Sequence, residues 1–440
     1  MATKKNRFHI ETFGCQMNVN DSEKVAGLLL AEGHDRARSA ADADFVFINT
    51  CAVREKAADK LYHALGRLRR RKSARPELRI GVGGCVAQLQ GREILARVPD
   101  VDVLVGTRNL ARVPGLLAQR EASHAPAVDL DRSADAFAVP DTAIAHSSPA
   151  RAFVSVMEGC NHVCSFCVVP RTRGTEVCRP VAAIVTEVRQ LVARGYSEVM
   201  LLGQTVNAYQ HQGTGFAGLL EAVHAVQGLR RLRFTTSHPS HVDARLIGSL
   251  RELPNLCPYL HLPFQSGSDR ILDAMRRGYS ADDYRAITSE LRSQVPGLAL
   301  SADVIVGYPG ETEDDFEATA RLVQDVPFES LFVFLYSPRP GTSALRLGDP
   351  VPLLEKKRRF QVLNSYQQRR QSEANAVRVG GREEVLVDHV APGGRLAGRT
   401  RDFRIVHLDG PPEWLGRLIQ VEVTGASPNS LRGRFQQAIH

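Results

Sequence analysis

The run Met157-Glu158-Gly159-Cys160-Asn161-His162-Val163-Cys164-Ser165-Phe166-Cys167 sets Cys160, Cys164 and Cys167 in a C-x3-C-x2-C spacing. Three thiolates on one short loop can hold three irons of a [4Fe–4S] cluster. The fourth iron then lacks a protein ligand and is open to a small molecule. Zinc competes for such a set, but its sites usually pair ligands as C-x2–4-C with a second pair further on, and no such pair follows here. Ordinary buried thiols are the other alternative. The loop comes after a strand-like run, Ala152–Met157. Further runs of this kind are Glu198–Leu202, Leu232–Thr236, Tyr259–Leu262, Ala302–Val306 and Leu331–Tyr336, with helical patterns between them. Over residues 150–372 this alternation predicts a partial (β/α) barrel, whose chemistry sits on the loops after the strands. The three-cysteine loop stands where that rule requires it.

Residues 1–118 alternate in the same way. Arg7–Phe13 reads as a strand, followed by a helix capped near Asn20 or Asp21. Phe45–Asn49 reads as a second strand, with a helix from about Ala52 to Arg71, and Leu78–Gly83 as a third. The pattern predicts a parallel sheet with helices on its faces. Cys15, Cys51 and Cys85 each follow one of these strands. The carboxyl ends of parallel strands share one edge, so the three thiols are expected to converge. Gly14, Gly83 and Gly84 beside them let the backbone wrap closely around a second cluster. Three unrelated buried thiols are the alternative. Cys178 and Cys257 read as structural thiols.

Residues 119–149, rich in Ala, Ser, Asp, Pro and His, read as an irregular linker. Residues 373–440 hold short strand candidates, Glu384–Asp388, Phe403–Leu408 and Leu418–Thr424, punctuated by Gly and Pro. They predict a small all-β barrel or sandwich. The fold class is therefore α/β: an N-terminal parallel sheet, a partial (β/α) barrel and a small all-β C-terminal domain.

The 440 residues allow two or three domains. No apolar run is long enough to cross a membrane, and the first seven residues lack the apolar core of a signal peptide, so a cytoplasmic location is expected. In that reducing compartment eight cysteines favour metal or catalytic roles over disulfides. The net charge of +8 is compatible with a nucleic-acid partner. It is clumped in two runs, Arg67, Arg69, Arg70, Arg71, Lys72 and Arg75, then Lys356, Lys357, Arg358, Arg359, Arg369 and Arg370. Either run also reads as a solvated helix face.

Two three-cysteine sets in this order resemble the methylthiotransferases, a family of radical S-adenosylmethionine (SAM) enzymes. Further matching stretches are Leu202-Gly203-Gln204-Thr205-Val206-Asn207, Thr235-Thr236-Ser237-His238-Pro239, His261-Leu262-Pro263-Phe264-Gln265-Ser266-Gly267-Ser268 and Asp303-Val304-Ile305-Val306-Gly307-Tyr308-Pro309-Gly310-Glu311-Thr312. The resemblance implies a methylthiotransferase N-terminal domain over 1–118, a linker over 119–149, a radical SAM barrel over 150–372 and a TRAM RNA-binding domain over 373–440. Gly14-Cys15-Gln16-Met17-Asn18, Asn49-Thr50-Cys51-Ala52-Val53-Arg54-Glu55-Lys56-Ala57 and Cys167-Val168-Val169-Pro170-Arg171-Thr172-Arg173-Gly174 are similar to the branch that modifies isopentenylated adenosine beside the tRNA anticodon. Other branches act on threonylcarbamoyl adenosine in tRNA or on a ribosomal-protein aspartate, and these are the alternative functions. Cys178 departs from the family, which more often has serine there.

The resemblance implies two [4Fe–4S] clusters, on Cys160/Cys164/Cys167 and on Cys15/Cys51/Cys85, with SAM as cofactor. The first cluster would reduce SAM to a 5′-deoxyadenosyl radical that takes hydrogen from adenine C2, and the second would deliver a methylated sulfur. A second SAM would supply the methyl group, and an external flavodoxin- or ferredoxin-like donor the electrons. The other expected partner is the tRNA anticodon loop, with the chain acting as a monomer. Phe166, Gln204, Gln265, Ser266 and Asp303 are candidate SAM contacts. Gly307, Gly310 and Glu311 are expected to shape the cofactor loop, or simply to make a turn into the next helix. Arg171 and Arg173 are candidates for substrate phosphate, and Arg395, Arg399, Arg432 and Arg434 for RNA backbone.

Overall fold

The computed structural model describes residues 5–53 and 55–439. They form two compact units, one of residues up to 147 with 157–162 and 167–177, the other of 148–156, 163–166 and 178–439.

The first unit is built on a six-stranded, wholly parallel sheet. Its strands are β1 (Arg7–Phe13), β2 (Asp35–Arg36), β3 (Phe45–Thr50), β4 (Arg79–Gly83), β5 (Val103–Val105) and β6 (Ala127–Asp129), in the order β2-β1-β3-β4-β5-β6. The central strand shows why. Phe45, Val46, Phe47 and Ile48 are all fully buried, so β3 must be covered on both faces, as parallel strands are. Val46 and Ile48 pack with Leu61, Leu65 and Leu68, an i, i+4, i+7 stripe on the helix α2 (Glu55–Ala74). Phe45 and Phe47 pack with Val25 and Leu29 of α1 (Gln16–Ala31), and with Leu116 and Leu117 of a later helix, Val113–Ser123.

Three expectations change here. Six strands stand where three were read, because β2, β5 and β6 have only two or three residues and are too short to show a period. β6 and the end of the Val113–Ser123 helix fall in the stretch read as an irregular linker. The helix after β1 starts at Gln16, not near Asn20 or Asp21. Cys15 is its N-cap, and Asn18 Oδ1 accepts from the Cys15 N–H at 3.3 Å. Asn20 and Asp21 lie inside the helix and are buried. The first basic run largely serves the unit's own ion pairs: Arg67 with Glu11, Arg69 with Asp100, Lys72 with Asp102, and Arg75 with Asp44 and Glu77.

In the second unit β7 (Arg151–Ser155), β8 (Glu198–Leu202) and β9 (Arg231–Phe234) form one parallel sheet. β10 (Tyr259–His261), β11 (Ala299–Val306) and β12 (Ser330–Leu335) form another. A parallel bridge between Leu232 and Leu256 joins them. The six strands follow one another in chain order as an open, partial barrel, each within a few residues of its expected place.

A closed barrel follows, made of β13 (Arg382–Val390), β14 (Leu396–Arg399), β15 (Ile405–Leu408), β16 (Leu418–Ser427) and β17 (Ser430–Ala438) in the order β13-β14-β15-β17-β16. Val385, Val387, Leu396, Val406, Ile419, Val421, Val423 and Leu431 fill it. Two arginines of β9 hold it to the partial barrel. Arg231 donates to Glu384 Oε1 at 2.8 Å and to the Arg399 carbonyl at 2.7 Å. Arg233 donates to the carbonyls of Thr400 at 2.7 Å and Arg401 at 2.8 Å, and pairs with Glu198 at 2.8 Å. Both arginines are buried, so these bonds act in low dielectric and are individually strong. Of the second basic run, Lys356 and Arg359 are drawn inward, while Lys357, Arg358 and Arg369 stay exposed. Lys356 donates to the Tyr336 carbonyl, and Arg359 binds Glu311 at 2.6 Å, both from the helix Leu353–Ala376. No helix among the described residues is long and apolar enough to cross a membrane.

Candidate functional site

β1, β3 and β4 are neighbours in the first unit's sheet, with Phe13 in register with Thr50 and Asn49 with Gly83. Cys15, Cys51 and Cys85 therefore leave the same edge one or two residues beyond these strands. The Cys51 N–H donates to the Phe13 carbonyl at 2.9 Å. Interaction between the Cys15 and Cys51 thiols is the main cause holding Cys15 down to about 6, against burial and with help from backbone N–H groups at the start of α1 and from Arg173. The same interaction and burial push Cys51 up. Burial also pushes Cys85 up, against the pull of the Arg173 charge.

A buried polar layer fixes this edge. Asn49 donates to the Asn18 carbonyl at 2.8 Å and to Ser22 Oγ at 3.0 Å, and Ser22 meets Thr12 Oγ1 at 2.8 Å. Gly84 has φ +87°, and a Cβ there would lie 2.2 Å from Asn49 Oδ1 and 2.7 Å from the Thr50 carbonyl oxygen. Three soft donors in a glycine-lined, mostly buried cradle fit a three-cysteine iron–sulfur site. The Val53 N–H also donates to Cys51 Sγ at 3.3 Å, a supporting bond of the kind that tunes such sulfurs.

Arg173 is not on the surface, where its expected role with phosphate would put it. It is 2 % exposed and pairs with Asp21 at 2.5 Å and Glu158 at 3.5 Å, both also buried. Burial disfavours its charge, but Asp21, Cys85 and Glu158 outweigh this and hold the guanidinium charged. Burial raises the Glu158 carboxyl. Two acids and a ligand-edge thiol thus claim Arg173, while Arg171 is exposed.

Cys160 and Cys167 of the C-x3-C-x2-C loop belong to the first unit, and Cys164 to the second. The Cys160 N–H donates to the Gly174 carbonyl at 3.2 Å, and the Val169 N–H to Cys167 Sγ at 3.5 Å. In the second unit, Arg277 donates to Cys164 Sγ at 3.3 Å and to Tyr279 at 3.0 Å. Thiols that already accept N–H bonds are suited to the thiolate form a cluster needs.

The candidate SAM contacts part company. Phe166 packs on a core of Ile271, Met275, Tyr308, Tyr336 and Ala344. Ser266 is buried and accepts from the Ser268 N–H at 3.2 Å, so it shapes its loop. Gln265 has φ +70° and is tied to β11 on both sides, its N–H on the Asp303 carbonyl and its carbonyl on the Ile305 N–H. Gln204 lies just past β8. Asp303 lies within β11, where His261 Nε2 stands 3.5 Å from its carboxylate. Gly307 and Gly310 take positive φ, and Glu311 accepts from the Gly307 N–H at 2.9 Å while binding Arg359. These three build the loop before the Glu313–Asp325 helix, whose N-cap is Thr312.

The expected RNA arginines are mostly paired. Arg395 forks onto Asp409 at 2.9 Å and Arg434 meets Glu422 at 2.8 Å, both exposed. Arg399 lies over the Phe403 ring, and burial lowers its basicity. Arg432 is exposed. The sequence reading passed over Arg277, His261 and Phe332. For Phe332, strand alternation was the available signal, since it shares a face with Asp303.

Three family models match the chain: Uncharacterized protein family UPF0004 at residues 7–106, the Radical SAM superfamily at 154–323 and the TRAM domain at 376–435. A tRNA-2-methylthio-N(6)-dimethylallyladenosine synthase from Chromobacterium violaceum is 47 % identical, over 97 % of this chain and 98 % of that one. The chain belongs to this synthase family. Synthases of the same name from Thiobacillus denitrificans, 47 % identical over 97 % of both chains, and Neisseria gonorrhoeae, 44 % identical over 98 % and 99 %, align as fully. Among solved structures, the radical S-adenosylmethionine methyltransferase TsrM from Kitasatospora setae, with cobalamin and a [4Fe–4S] cluster bound, superposes with a TM-score of 0.56. It shares 14 % identity and covers 78 % of this chain and 77 % of that one, a likeness of fold.

Proposed function

We propose that this chain methylthiolates ring C2 of isopentenylated adenosine next to the anticodon in tRNA. The observation that carries the reading is the meeting of Cys15, Cys51 and Cys85 at one sheet edge, in a chain that also bears the C-x3-C-x2-C loop. Each set would hold a [4Fe–4S] cluster through three thiolates and leave one iron open. When bound, the two clusters supply the electron that opens SAM and the sulfur that is transferred.

The chain's own residues do the rest. Arg173 holds a positive charge against Cys85 and is itself fixed by Asp21 and Glu158. Arg277 donates to Cys164 and keeps that thiolate oriented. Gln204, Gln265 and Asp303 stand on strands or strand ends of the partial barrel and are the residues we assign to SAM. Phe166 and Ser266 act one step removed, through packing and loop shape. The substrate base is unpaired in an anticodon loop, so no duplex has to open. An external flavodoxin- or ferredoxin-like protein provides electrons, and the chain works as a cytoplasmic monomer.

The test is an anaerobic reaction of reconstituted protein with SAM, a reductant and isopentenylated tRNA, followed by mass spectrometry of the nucleosides. A methylthio-isopentenyladenosine product is expected. 5′-Deoxyadenosine without that product would move the activity to another substrate, and neither product with both clusters intact would sink the mechanism.

A further inference from the structure

The inner face of β10, β11 and β12 carries His261, Ser301, Asp303 and Phe332 side by side. His261 is in register with Ser301, and Asp303 with Phe332. The outer face of the same sheet is dry, with Leu300, Ala302 and Val304 fully buried. The inner face is open. Phe332 keeps 49 % of its surface exposed, more than any other phenylalanine, tyrosine or tryptophan among the described residues. A phenylalanine in the middle of a strand normally gains from burial, so an open ring on a concave face points to a ligand.

The ring is also held. His261 meets Phe332 at 69°, with centroids 6.1 Å apart, an edge-type aromatic contact. His261 is pinned in turn by Ser301 Oγ at 2.8 Å and by Asp303 at 3.5 Å. Tyr259 backs Ser301 at 2.7 Å. The result is a rigid aromatic platform beside hydrogen-bonding groups.

We propose that Phe332 is the stacking platform for the adenine ring of the tRNA substrate, with His261 as its positioning residue. This rests on the function proposed above and assigns its base subsite. A purine fits because its flat π-face matches the ring and its polar rim meets the neighbouring His261 and Ser301. Stacking engages the base through its faces and leaves C2, at the rim, free to react. Phe334 follows on the same face of β12 and is half-buried, which gives an N6-alkenyl chain apolar surface to lie on. SAM carries an adenine too. Its adenine bears no alkenyl chain to lie on Phe334, so the tRNA base is the occupant.

The experiment compares reconstituted wild type, Phe332→Ala and Phe332→Trp. It measures Kd for an isopentenylated anticodon stem-loop, Kd for SAM, the thermal midpoint and product formation. Phe332→Ala should weaken stem-loop binding about tenfold to hundredfold. SAM binding and the midpoint should hold, and Phe332→Trp should restore stem-loop binding. Unchanged stem-loop binding in Phe332→Ala overturns the inference. So does an equal loss of SAM affinity, which would assign the ring to SAM. If wild type binds the stem-loop through Phe332 yet makes no methylthio product, the subsite stands and the proposed function falls.

Discussion

The two cysteine sets reach the same chemistry by opposite routes. Cys160, Cys164 and Cys167 lie within eight residues, and their spacing alone confines them to one loop. Cys15, Cys51 and Cys85 span some seventy residues and meet only because β1, β3 and β4 are adjacent and parallel. The dispersed set inherits its geometry from the fold. It therefore depends on the sheet, and on packing residues such as Asn49 and Gly84, to bring its thiols together, whereas spacing alone does this for the compact set.

The largest expected effect separates the sets outright. Replacing Cys15, Cys51 and Cys85 by alanine should lower iron from about eight to about four per chain. That variant should still cleave SAM to 5′-deoxyadenosine and make no methylthio product. The matching alanine triple at Cys160, Cys164 and Cys167 should lose SAM cleavage as well. Iron analysis and chromatography of 5′-deoxyadenosine read both, and equal losses in the two triples would erase the contrast.

Next comes Gly84→Ala. Its Cβ would strike Asn49 and the Thr50 carbonyl, at a φ that alanine rarely adopts. We expect roughly 1–3 kcal/mol of lost stability from the strained backbone alone, with iron lost from the dispersed set first. Denaturant melts with iron titration test this; a variant that keeps full iron and stability would break the link between fold and site. A smaller effect is expected from Asn49→Ala, which unties the Asn18 and Ser22 bonds. The groups left unpaired cost about 1–3 kcal/mol, while SAM cleavage stays near wild type. Loss of SAM cleavage there would show the compact set to be no more self-sufficient than the other. The smallest change should follow Arg277→Lys. It trades the donor at Cys164 for a shorter-reaching ammonium, keeps iron content, and should shift only the potential of the compact set's cluster, read by EPR-monitored titration.

The same contrast governs what was legible in advance. Glu198–Leu202 is a fully buried strand, and its apolar run marks it plainly. β6 is three residues in an Ala- and Pro-rich stretch, and only its pairing with β5 makes it a strand. All six cysteines stood out by type and by their place after strands. Arg173 did not, because its burial depends on Asp21, 152 residues away, which no local pattern encodes. The same holds for Lys356 and Arg359, which looked like solvated charge and are buried partners of Tyr336 and Glu311. Cys15 hid the helix start because cysteine is not among the usual N-cap residues.

Arg231 and Arg233 give the closed β-barrel a property that a tethered domain lacks. Their buried bonds to Glu384, Arg399, Thr400 and Arg401 tie that barrel to the strands of the larger one at several points. A tRNA bound on the small barrel would then be held at a set distance and bearing from β9, as in the jaws of a caliper. Which nucleotide comes within reach becomes a matter of length as well as of base identity.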